Sequence, residues 1–106
     1  MAGLRKHAQF LPGGSLTYSE VTDSYTTVLT LAKDCLLLFI MNSLNADVWV
    51  SLPNEDGTVG EFVLPSRMST SFDVVSNAMQ VACGEVRVKY VSGAPSSGRI
   101  SVLGVA

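Results

Sequence analysis

Residues 48–65, VWVSLPNEDGTVGEFVLP, read as two β-strands joined by a tight polar turn. In the first strand, DVWVSL (47–52), Val48, Val50 and Leu52 share one face and Trp49 and Ser51 take the other, because successive strand side chains point to opposite sides. In the return strand, GEFVL (60–64), Phe62 and Leu64 share a face. Between them, PNEDGT opens with a proline, which cannot donate to a central ladder. The same loop contains Asp56-Gly57, a pair suited to a turn that needs positive φ. Pro65 closes the return strand.

Working outward, the same strand signals recur. YTTVLTLA (25–32) is rich in β-branched residues. CLLLFIMNSL (35–44) is a continuous apolar run, which as a strand is expected to be buried on both faces in the middle of a packed sheet. A helix competes for that run; its length and the Asn42-Ser43 interruption favour a strand. STSFDV (69–74) places Thr70, Phe72 and Val74 on one face, whereas NAMQVACG (77–84) fits a short strand or an irregular crossing. EVRVKYV (85–91) alternates most cleanly: Val86, Val88 and Tyr90 are expected inward, Glu85, Arg87 and Lys89 outward. SGAPSSG (92–98) is a loop before a last strand, RISVLGV (99–105). Six to eight short strands at this spacing suggest an all-β sandwich or barrel.

Residues 1–24 differ. Gly3, Pro12, Gly13 and Gly14 interrupt isolated apolar residues, and no period persists. The expected organisation is an extended N-terminal arm, 1–24, followed by a single antiparallel β-sandwich domain, 25–106. The arm's Leu4, Phe10, Leu11, Leu16 and Tyr18 are costly to leave in water, so they are candidate subunit contacts, ordered only against a neighbouring subunit. Trp49, opposite Val48 and Val50, is a further candidate contact. A carbohydrate-stacking platform beside Arg67 or Tyr90 is its competing reading.

Composition sets further bounds. Charged residues are 15% of the chain against about 25% typically. So few charges leave apolar surface for a partner to cover. A net charge of −2 gives no general attraction to nucleic acid. No apolar run reaches the length of a membrane helix, and MAGLRKHAQF lacks the apolar core of a secretory signal. No membrane or nucleic-acid partner is therefore expected. Cys35 and Cys83 sit beside apolar residues and read as buried free thiols.

No catalytic pattern emerges. His7, the single histidine, lies in the arm, a poor platform for a triad. The nine carboxylates are scattered, and no spacing selects a glycosidase pair. Asn54, Glu55 and Asp56 lack the alternating ligands and distal glutamate of a calcium loop. SGAPSSG lacks the lysine of a phosphate-binding loop. No enzyme activity, metal or cofactor is expected.

Taken together, NSLNADVWVSLPNEDGTVGEFVLPSRMSTSFDV (42–74) and GEVRVKYVSGAPSSGRISVLGV (84–105) resemble a family of small structural proteins of tailed bacteriophages. The resemblance runs over residues 26–106: an Asn-rich turn, a VWVSL-like strand, an acidic-Gly turn, Leu64-Pro65, a Ser-rich strand and a SGAPSSG-like loop. It implies a jelly-roll-like sandwich built into the virion, as capsid decoration, in the collar and neck, or at the tail. The implied partners are copies of the chain itself, as a homo-oligomer, and neighbouring capsid, portal/neck or tail proteins, assembled in the host bacterial cytoplasm. A carbohydrate-binding or tail/fibre-attachment module is the alternative function.

Overall fold

Alternating apolar and polar residues, punctuated by Gly, Pro and Asn, set where strands form and stop. A computed structural model of the chain describes residues 9–73 and 81–106. Among these lie β1 (Gly14–Thr17), β2 (Thr26–Leu31), β3 (Leu37–Asn42), β4 (Val48–Pro53), β5 (Val59–Leu64), β6 (Ser69–Asp73), β7 (Gly84–Tyr90) and β8 (Arg99–Val105). A single 3-10 turn, Tyr18–Glu20, follows β1.

The strands form two antiparallel sheets, in the orders β1-β8-β3-β6 and β2-β7-β4-β5. The strands pair in a nested series, from the chain-distant β1 with β8 through β2 with β7 and β3 with β6 to the adjacent β4 with β5. That series is one long hairpin folded over itself, the jelly-roll arrangement. The sheets face each other across Leu38, Ile40, Ile100 and Val102 from one side and Val48, Val50, Val86 and Val88 from the other, all buried. Each such side chain contributes about 1.5–3 kcal/mol on burial, opposed by the entropy of ordering the chain.

The expected faces hold in the second sheet. Val86 and Val88 are fully buried and Tyr90 packs against the core, while Arg87 is exposed. Val48, Val50, Leu52 and Leu64 are buried, with Phe62 partly so. Phe62 and Phe72 meet edge to face at 5.5 Å, joining β5 to β6 across the two sheets. Gly57 takes the positive φ that Asp56-Gly57 foretold. Val74 and residues 77–80 of the ambiguous segment lie outside the described residues, but Val81 is buried and bridges Cys35.

Three expectations need correction. First, the sandwich begins before residue 25. Gly14, Ser15, Leu16 and Thr17 pair with Val102, Ser101, Ile100 and Arg99, so part of the arm is an edge strand of the sandwich itself. Val21 is also buried in its core. Gly14 permits the close approach of β1 to β2: a Cβ there would sit 2.3 Å from the Val28 carbonyl oxygen. Val28 is itself the extra residue of a bulge in β2.

Second, the apolar run at β3 is central in its sheet but is covered on one face only. Leu38 and Ile40 point inward, whereas Phe39 and Met41 remain 38% and 44% exposed. Only one sheet stacks on β3, so its outward side chains meet none. Third, Cys83 is exposed. Its amide donates to Asp34 on a connecting loop, which holds it at the rim, whereas Cys35 is buried.

Candidate subunit-contact surface

The outer face of the β1-β8-β3-β6 sheet follows from register. Leu37 lies beside Val105, Phe39 beside Leu103, and Met41 beside Ser101. Their neighbours inward in sequence, Leu38, Ile40, Ile100 and Val102, are buried. Five apolar side chains therefore stand together on the two central strands, facing away from the core. The flanking strands add hydroxyls: Ser15 beside Ser101 on one side, Ser71 beside Phe39 and Ser69 beside Met41 on the other. Phe10 joins the same face through a bridge to Val105 and is 71% exposed. Gln9 and Ala106 exchange backbone hydrogen bonds of 2.8 and 2.9 Å, which fix Phe10 there.

This arrangement has an apolar centre and a polar rim of serines with two charges at its corners, Asp73 beside Leu37 and Arg99 beside Thr17, the anatomy of a protein–protein contact. Monomers rarely expose contiguous apolar patches beyond a few hundred Å². A shallow depression of about 330 Å³ lies on the face, lined by Gly13, Gly14, Ser15, Met41, Ser101 and Leu103.

The outer face of the other sheet is different, because its charges are matched within the chain. Glu85 pairs with Arg87 and accepts from the Thr27 hydroxyl, which together hold its carboxyl below the usual range. Lys89 lies 4.6 Å over the Tyr25 ring, and the Tyr25 hydroxyl donates to Glu61. Burial first, then the Glu61 hydrogen bond and charge, push the Tyr25 phenol up to about 12.

At the loop end, Asn45 Oδ1 accepts from the amides of Ser96 and Ser97, and Asp47 Oδ1 accepts from that of Ser66. A polar depression of about 280 Å³ adjoins them. Its side-chain acceptors already tie the 43–47, 65–68 and 91–98 loops to one another. The 54–58 turn behaves likewise: Asp56 accepts from both the amide and the hydroxyl of Thr58, which lowers its pKa.

The six expected contact residues do not form one surface. Phe10 reaches the apolar face. Leu11 and Leu16 do not: Leu16 is 7% exposed within the chain's own core, and Leu11 packs against that core. Pairing of β1 with β8 turns Leu16 inward beside Ile100, so it is unavailable to a neighbour. Tyr18 is exposed at the loop end, its amide bonded to the Gly98 carbonyl. Trp49 lies half-buried on the opposite sheet, level with Val63 and Lys89. The partners suggested for a sugar platform around it are elsewhere. Tyr90 packs on the core side, and Arg67 lines a depression beside Met41 and Met68. Leu4 and His7 lie outside the described residues.

Sequence reasoning missed Phe39, Met41 and Leu103. In RISVLGV, Ile100 and Val102 alternate with Leu103 and Val105, so both faces of one strand are apolar near its end. In a two-layer fold, that pattern leaves one face uncovered.

Among the described residues, no three His, Cys, Asp or Glu side chains gather as a metal site requires. No protein-family model matches the chain, and no curated protein matches it.

Proposed function

We propose that the chain is a non-enzymatic structural component of a tailed-bacteriophage particle, a capsid-decoration or collar/neck protein that assembles through a sheet surface. The observation that carries the reading is the uncovered apolar face around Phe39, Met41 and Leu103, on a jelly roll with few charges to solvate it. The resemblance of residues 42–74 and 84–105 to phage structural proteins supplies the setting. Jelly rolls serve in capsids and in lectins alike, so the fold alone favours neither. The carbohydrate-binding alternative loses ground because Arg67 and Tyr90 do not stand beside Trp49.

The test is incorporation. Purified particles of the source phage should contain the chain at a fixed copy number by quantitative mass spectrometry, with density for it in a cryo-EM map. Phe39→Asp should abolish incorporation while leaving the isolated protein folded. Its absence from purified particles would overturn the proposal. A glycan array with Trp49→Ala as control tests the alternative, which predicts binding that this variant loses.

A further inference from the structure

We infer that the outer face of the β1-β8-β3-β6 sheet is a homodimer interface, closed by a twofold axis that crosses the strands at the level of Phe39 and Leu103. The inference rests on the reading of this face as a contact surface and adds the partner, a second copy of the chain, and the geometry.

Size comes first. Four strands about 4.8 Å apart, with about six residues each at about 3.3 Å, give a face of about 20 by 20 Å. That is about 400 Å² in projection and more in accessible surface. Two such faces reach the lower part of the range for specific complexes, about 1,200–2,000 Å² in total.

Self-complementarity comes second. A twofold contact brings a patch against itself, so any central charge would meet its own copy. Between Arg99 and the far end of the sheet, β8 and β3 present only Ser101, Leu103, Val105, Leu37, Phe39 and Met41 outward. Ser71, level with Phe39, both donates and accepts and so can pair with its own copy on the axis, while Asp73, level with Leu37, falls opposite Ser69 of the second copy and meets no like charge.

Shape comes third and fixes the axis. Phe10 projects level with Val105, two residues to one side of Leu103. The depression formed by Gly14, Ser15, Ser101 and Met41 is centred on the other side of Leu103. Phe10 lies on the β1 flank of β8, where the depression begins at Gly13, Gly14 and Ser15 before reaching across Ser101 to Met41. A twofold axis across the strands at Phe39 and Leu103 exchanges those two levels and preserves the flank. It therefore seats Phe10 of each copy in the depression of the other. The same operation places Phe39 against Phe39 and Leu103 against Leu103. Gly13 keeps the hollow open, since an added Cβ there would reach within 3.4 Å of the Leu103 side chain.

The test uses the full chain. Analytical ultracentrifugation over a concentration series reaching high micromolar should show a monomer–dimer equilibrium. Leu103→Asp should shift it at least tenfold toward monomer, because two carboxylates would then meet on the axis. Phe10→Ala should weaken it several-fold. Should Leu103→Asp fail to fold by circular dichroism, Leu103→Ser serves instead. In a Cys83→Ser background, Phe39→Cys should form a disulfide-linked dimer on mild oxidation, and Val63→Cys on the other sheet should not.

A folded chain that stays monomeric throughout would overturn the inference, even if particles still incorporate it, in which case the virion reading would stand. A dimer insensitive to Leu103→Asp, or cross-linked equally through residue 63, would overturn it too. A dimer that cross-links through residue 39 and is absent from particles would support the interface and overturn the virion reading.

Discussion

Asn42 is nearly fully buried at the end of β3 and ties three segments together. Its Nδ2 donates to the carbonyls of Ala46, Leu64 and Pro65 at 3.2, 3.2 and 3.1 Å, and its Oδ1 accepts from the Leu44 amide at 3.0 Å. Asn42→Ala removes these hydrogen bonds, two of them buried and two part-buried, a loss of about 1–3 kcal/mol. Asn42→Asp should cost more, since a carboxylate would face three carbonyl oxygens; urea titration of both variants checks the order. Gly98 is constrained by space and angle together. Its φ is +90°, and an added Cβ would lie 2.0 Å from the Ser43 carbonyl oxygen. Gly98→Ala should therefore lower the melting temperature far more than Gly93→Ala, whose Cβ would meet open space.

At Tyr25 the consequence is a dependence on pH. The phenol titrates near 10 in an unfolded chain and at about 12 in the fold. Between those values the unfolded chain has lost a proton that the folded chain keeps, so stability falls as pH rises through that window. Below about pH 10 the contribution is fully present. Tyr25→Phe should flatten this part of the stability profile relative to the parent, as measured by chemical denaturation between pH 9 and about 12.

Strands differ in how openly their sequence declares them. β7 is legible because charges mark one face and valines the other. Val88→Ala should cost about 1–3 kcal/mol, combining lost apolar burial with a residual cavity. Lys89→Ala should cost about 0.5–1 kcal/mol, since it removes only a partly exposed contact with the Tyr25 ring. β1 was hidden: four residues between glycines and a 3-10 turn carry too few alternations to reveal a period. Its position depends on β8, its partner from the far end of the chain, which no local pattern can reveal. Deleting residues 2–20 removes β1 and uncovers Ile100 and Val102, so the truncated chain should melt well below the parent in calorimetry. β3 was legible as a strand but not as a surface. A run of Leu, Phe, Ile and Met has no polar marker to say which face is wet.

For the whole molecule, turn spacing narrowed the fold to six to eight strands in a sandwich or barrel, and the resemblance to phage structural proteins pointed to the sandwich that the two packed sheets form. The low charge content also pointed to an uncovered patch, which the outer face of the β1-β8-β3-β6 sheet supplies. Its location could not be read, because it is assembled from β8 and β3, strands that become neighbours only once the long hairpin folds over. The phage setting rests on resemblance, and the particle experiment decides it.

The nested strand pairing also orders events in time. The β4–β5 hairpin closes across the short 54–58 turn, whereas β1 must wait for β8, at the opposite end of the chain. Joining distant segments costs more chain entropy before any contact repays it, so such topologies cross their barrier slowly, in milliseconds to seconds. The innermost pair should nucleate and the outermost zip last. On a ribosome, the first strand to emerge would be the last to find its partner. Stopped-flow chevrons can test that order. Val50→Ala in β4 should chiefly slow refolding, whereas Leu16→Ala in β1 should chiefly speed unfolding. The reverse pattern would place the nucleus at the chain ends.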